Sequence, residues 1–274
     1  MNRLNRSAFN REPISLAVML ALSFLVPLTT LLSPETPLWG HLLTIGNMVI
    51  LLLIAGWALR RERVRAADIG LSRDDWLRGV GLFAIWWLLV GAIEWGGAAI
   101  AGMLGAEVQP PVAYEWDLTR VLDFGRAWVA VGFVEELAFR GYLHNKLIAM
   151  TGKRWLGIAL AALVFGVWHM PHALLLGAPL VSVLLRALVL SAFSAVCLNL
   201  TYELTGLLPF VVLFHGWNDF ALLPNLKRPS NIGQIGGLVL IVLVAAAQWV
   251  VAHKRERRQL VEAEEEESDM VADD

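Results

Sequence analysis

Long apolar runs separated by short charged connections dominate the chain. Residues 13–34, 36–59, 155–185 and 229–253 contain no Asp, Glu, Lys or Arg. Three more runs are apolar but carry or meet a single acid: 79–104 holds Glu94, 187–202 ends at Glu203, and 204–223 holds Asp219. An eighth stretch, 121–148, is apolar apart from Asp123, Arg126 and the charges in "VGFVEELAFRGYLHNK". A helix that crosses a bilayer needs roughly 20 apolar residues. The pattern therefore predicts an all-α polytopic membrane bundle of eight transmembrane helices. Arg3, Arg6 and Arg11 precede the first run, as in a secretory signal. Its apolar core is longer than a signal's, however, and no A-x-A-like site follows in "LLSPETPLWG", so a retained span is expected.

Basic residues fall unevenly among the connections. Three arginines precede the first run, and "RRERVRAADIGLSRDDWLRG" carries six, at 60, 61, 63, 65, 73 and 78. Lys146, Lys153 and Arg154 follow the fourth run, and "KRERR" follows the eighth. With eight alternating helices all of these share one side; the opposite side has none in 33–38 or 171–180, only Arg120 in the third connection, and Lys227 with Arg228 in the last. The positive-inside rule then places both termini in the cytoplasm.

Composition agrees, with 57% hydrophobic residues, only 17% charged and a mean hydropathy of +0.61. Soluble domains carry nearer one quarter charged residues, so the expected localisation is a multi-pass integral membrane protein, with the lipid bilayer as a partner. A net charge of −2 points to no nucleic-acid partner. The lone Cys197 excludes an intramolecular disulfide and a Cys-rich metal site. Domain organisation is read as one transmembrane domain over 1–253, with its motif-bearing core at about 120–225. Residues 254–274 form a charged, disordered cytoplasmic tail rich in acids. The longest outer connection, 106–119, contains Pro110–Pro111 and suits an interfacial loop. Small residues recur at four-residue spacing: Ala187, Ser191 and Ala195; Gly157 and Ala161; Ala162 and Gly166. They let helix backbones approach closely, a packing role.

Ionisable groups at membrane depth are costly and usually functional. Glu136 and Arg140 are four apart on one helix face, so the arginine can neutralise that glutamate. Glu135 is turned about 100° away. Two adjacent carboxylates in different environments are what a general base needs. In "FGVWHMPH", Phe165 and His169 are four apart, and Pro171 should end or bend the helix near His169, freeing backbone carbonyls. In "LFHGWNDF", His215 stands four residues before Asp219 and three before Asn218; either could orient the imidazole. Each cluster alone has a structural explanation: a Glu–Arg lock, or a histidine hydrogen-bonded within the packing. His41, His144, His172 and His253 receive that reading, and Glu94 has no spacing that ties it to the rest. Together, acids and imidazoles on three helices imply a shared polar cavity.

"EELAFR", "FGVWH" and "HGWND", in that order, resemble the E-E-x-x-x-R, F-x-x-x-H and H-x-x-x-[N/D] motifs of the CPBP family of intramembrane proteases. That family includes type II CAAX prenyl endopeptidases and bacteriocin-processing or self-immunity (Abi) proteins. The resemblance covers about 120–225 and implies peptide-bond hydrolysis in membrane-associated proteins or peptides, prenylated CAAX-type ones among them. It makes Glu135 the base that activates water and His169 the residue that holds that water. It makes His215 and Asp219 oxyanion or metal partners, and Glu136 with Arg140 a supporting ion pair. Asp219 stands where prenyl-protein peptidases typically have Asn, and a carboxylate donates no hydrogen bond unless protonated. Asp219 therefore suits orienting His215 or ligating a metal. A Zn²⁺ or other divalent ion on His169, His215 and one carboxylate would satisfy catalytic zinc rules, and a metal-free version needs the same residue types. Two other functions use these residues: a non-catalytic immunity or scaffold protein of the same fold, and a proton-coupled transporter. Inverted repeats, expected of many transporters, are not visible in the sequence.

Overall fold

The computed structural model describes residues 4–26, 37–105, 116–175 and 177–220, and all regular structure among them is helical. The eighth predicted span, the acidic tail with His253, and most of the 106–119 connection lie outside those residues. Helix α1 is Ile14–Leu25, α2 is Pro37–Arg61 and α3 is Arg73–Met103. Helix α4 continues from residue 118 to 151 through Leu118–Gly125, Arg126–Phe133, Val134–Glu136, Leu137–His144 and Asn145–Thr151. Then come α5 (Arg154–Trp168), a short α6 (Met170–Leu175), α7 from 180 to 205, and α8 (Leu208–Asp219). By length and composition, Leu42–Arg61, Ala66–Met103 and Leu180–Thr205 are able to cross a membrane; α1 and α5 are shorter apolar helices.

One expected element is divided. The uncharged run 155–185 does not form a single helix: it breaks at His169 and again before Leu180. Pro171 lacks the N–H that would continue the ladder. Gly177 takes a left-handed φ of 77°, which glycine adopts without steric cost. Pro179, with φ −57° and ψ 135°, then starts α7, seven residues upstream of the expected 187.

Helix α4 is the axis of the bundle. Every residue of Leu137–His144 is buried, and α2, α5, α7 and α8 all pack on this helix. Its backbone is π-helical over Arg126–Phe133 and Leu137–His144, leaving one α-helical turn, Val134–Glu136, between the widened segments. Such widened turns are rare and frequently mark functional sites. Outward faces are apolar instead: on α3, Leu77, Ile85, Leu88, Ile93 and Ile100 are all more than half exposed. So large an apolar surface calls for a lipid or protein environment.

Glycines set the helix crossings. A Cβ on Gly132 of α4 would lie 3.3 Å from Gly216 Cα of α8, and one on Gly216 would lie 3.0 Å from the Trp128 ring. The sequence neighbour of Gly216 is His215, so this crossing carries the histidine to α4. A Cβ on Gly166 of α5 would meet the Ala187 carbonyl of α7 at 2.3 Å. Two of the small-residue stripes thus face each other.

Basic connections gather at one end of the bundle. Asn5 donates to Asp68 through its backbone N–H (3.0 Å) and its side chain (3.1 Å). Arg6, His144 and Arg154 converge on Glu203. Buried Lys146 bridges Glu62 (2.8 Å) and both oxygens of Asn10 (2.7 Å each).

Candidate active site

Glu135 and Glu136 sit on the α turn between the two π-helical segments of α4 and are 4% and 0% exposed. Adjacent positions on a helix diverge, and the two carboxylates have different surroundings. Glu136 Oε1 accepts from Arg140 Nη1 at 2.8 Å and from His215 Nδ1 at 2.6 Å. Glu135 Oε2 is buried and has no hydrogen-bond partner among the described residues.

Arg140 is fixed on three sides. Nη1 reaches Glu136, Nε donates to Asn199 Oδ1 at 3.1 Å, and the guanidinium lies over the Phe165 ring at 4.6 Å. Phe165 thus connects two motifs, because its ring also lies 4.6 Å from His169 and 6.4 Å from His215 between centroids.

The end of α5 explains how His169 is held. Its backbone N–H turns back to the Gly166 carbonyl, tightening the last turn. The Phe165 carbonyl thereby lacks its usual helical donor, and the imidazole Nδ1 of His169 takes it at 2.7 Å. A carbonyl only accepts, so Nδ1 carries the hydrogen and Nε2 of the neutral ring is the acceptor. The same logic applies to His215, whose Nδ1–H donates to Glu136. In both imidazoles Nδ1 is the atom committed to an acceptor on the protein.

Sequence reasoning expected Asp219 or Asn218 to orient His215. The bonded acceptor is Glu136. Asp219 Oδ2 stands 3.8 Å from His215 Nε2 with its side chain 40% exposed, too long for a hydrogen bond. Asn218 donates to the Phe214 carbonyl at 3.0 Å. His144 keeps a structural place, pairing with Glu203 at 2.7 Å. The side chains of His41, Glu94 and His172 lie outside what is described. Asn199 went unrecognised in the sequence, although a lone amide within "SAFSAVCLNLTYEL" was a usable signal.

The residues were tested against a metal. No three His, Cys, Asp or Glu side chains among the described residues are grouped so that they could hold an ion. Glu136 and the Nδ1 of His215 already bind each other, and Glu136 is also neutralised by Arg140. The set does not fit a three-ligand centre.

A family model described as type II CAAX prenyl endopeptidase Rce1-like matches residues 117–221. The match spans α4 to α8, contains all three motifs, and agrees with the CPBP resemblance. The matched family is one of membrane-embedded proteases. No curated protein and no solved structure matches the chain.

Proposed function

We propose that the chain is an intramembrane endopeptidase that hydrolyses peptide bonds of membrane-associated proteins, prenylated CAAX-type substrates among them. The observation that carries this reading is the buried Glu135 carboxylate, with an oxygen that has no partner among the described residues, beside the Glu136–Arg140–His215 network. A buried carboxylate oxygen without a partner is expensive, and a water or substrate group would relieve it.

In this reading Glu135 takes a proton from water as its oxygen attacks the carbonyl carbon. The C–N bond of the tetrahedral intermediate then breaks, and the proton passes to the leaving amine. His169 helps to hold the water. His215, held by Glu136, supports the negative charge that develops on the carbonyl oxygen as the imidazolium, whose Nε2–H donates to that oxygen. Arg140 keeps Glu136 ionised and in place. The basic end of the bundle faces the cytoplasm, with both termini there and eight spans in a cell membrane.

The test uses the full chain in liposomes with two probes: a farnesylated peptide ending in a CAAX box and an unlipidated transmembrane peptide. Cleavage by wild type and its loss in Glu135→Ala support the reading. Equal cleavage by both proteins refutes the assignment of Glu135. Absence of cleavage by wild type on either probe favours the scaffold reading.

A further inference from the structure

Asn199 belongs to none of the three motifs, yet it is 2% exposed in the middle of α7 and is bonded at both ends of its amide. Its Nδ2 donates to the Ile158 carbonyl of α5 at 3.1 Å, and its Oδ1 accepts from Arg140 Nε at 3.1 Å. The first bond fixes which way the amide faces, because only nitrogen can donate to a carbonyl. The second fixes the rotation of the guanidinium about its long stem.

We propose that Asn199 is a positioning residue of the site, which orients the His215 imidazole through Arg140 and Glu136. This rests on the peptidase reading for its catalytic consequence, but not for its geometry. The chain of contacts runs Ile158 carbonyl, Asn199, Arg140, Glu136, His215, and crosses α5, α7, α4 and α8. Every distance along it is 3.1 Å or less. Arginine has a flexible stem and a planar fork, so a partner on Nε decides where Nη1 points. Without Asn199, Nε loses its acceptor in a buried setting where Nη2 already lacks one. The guanidinium would then rotate to share Glu136 between Nε and the Nη atoms. Glu136 Oε1, which also holds His215 Nδ1, would move with it. Two-ended anchoring distinguishes this residue from ordinary helix packing, for which an apolar side chain of equal size would serve on α7.

Asn199→Leu keeps the volume and removes both bonds. Two readouts on the full chain in nanodiscs test the proposal. The first is ¹⁵N-histidine NMR, with His215 assigned through His215→Gln; it needs no substrate. Asn199→Leu should move the His215 Nδ1 resonance, whereas an unchanged resonance in the folded variant overturns the proposal. The second is turnover of whichever probe peptide wild type cleaves. A kcat reduced roughly tenfold or more, with KM within about twofold, supports positioning. A wild-type kcat, or a loss confined to KM, overturns it. Should the leucine variant fail to fold, Asn199→Ala is read by the same two criteria. Inactive wild type with a shifted His215 signal sinks the peptidase reading and leaves the positioning role standing.

Discussion

Lys146→Met isolates one buried ion pair at the basic end of the bundle. Lys146 is 0% exposed, and Nζ lies 2.8 Å from Glu62 Oε1. Its other two contacts are oxygens of Asn10, an exposed residue that can turn to water at small cost. Glu62 cannot. It is 6% exposed and would retain only the hydroxyls of Tyr142, at 2.8 Å, and Ser15. Removing one member of a buried pair costs about 3–5 kcal/mol, because the survivor is an uncompensated charge. Two hydroxyl donors soften this toward the lower end. The assay is reversible unfolding in mixed detergent micelles, followed by tryptophan fluorescence across an SDS titration. Lys146→Met should lose about 3 kcal/mol. Lys146→Met combined with Glu62→Gln should regain at least about 1 kcal/mol of that, since Gln keeps an acceptor for Tyr142 without the charge. A single-mutant loss below about 1 kcal/mol, or simple additivity in the pair, would refute the reasoning.

Other expectations follow from the site and its crossings. Glu135→Gln should lower kcat by about 10²–10⁴-fold with stability near wild type, because Oε2 makes no bond to the described protein; a large stability loss would point to a structural carboxylate. Asp219→Asn should cost less than about tenfold in kcat, since a half-exposed group at 3.8 Å couples weakly to His215; a collapse of activity would place Asp219 in the chemistry. Gly132→Ala puts a methyl 2.9 Å from the Ala127 carbonyl and 3.3 Å from Gly216. It should cost about 1–3 kcal/mol and reduce turnover with it. Gly96→Ala on α3 meets nothing within 4 Å and should be neutral or stabilising by up to about 1 kcal/mol. Equal effects at the two glycines, measured by the same SDS titration, would undo the close-crossing account.

What the sequence made legible was whatever rests on spacing along one helix. Glu136 with Arg140 is a four-residue relation, and the structure contains it as a 2.8 Å pair. The small-residue stripes were legible for the same reason, and Gly166 does abut Ala187. Pro171 announced the disturbance at His169. Relations between helices were not legible. Nothing local says that Glu136 rather than Asp219 binds His215, because that depends on the Gly132–Gly216 crossing between residues 84 positions apart. Asn199 was hidden likewise: its partner lies 59 positions away. The division of the 155–185 run was obscured by hydropathy, which is insensitive to a missing N–H or a positive φ.

The contacts of residues 5–10 reverse the order of synthesis. Asn5, Arg6 and Asn10 are made before the residues they close upon, Asp68, Glu203 and Lys146. Glu203, the last of these partners to be made, follows Arg6 by 197 positions, so the contacts of residues 5–10 can be completed only late in synthesis. Nascent chains stalled before residue 203 should accordingly leave this segment open to added protease, and chains that have passed it should shield it.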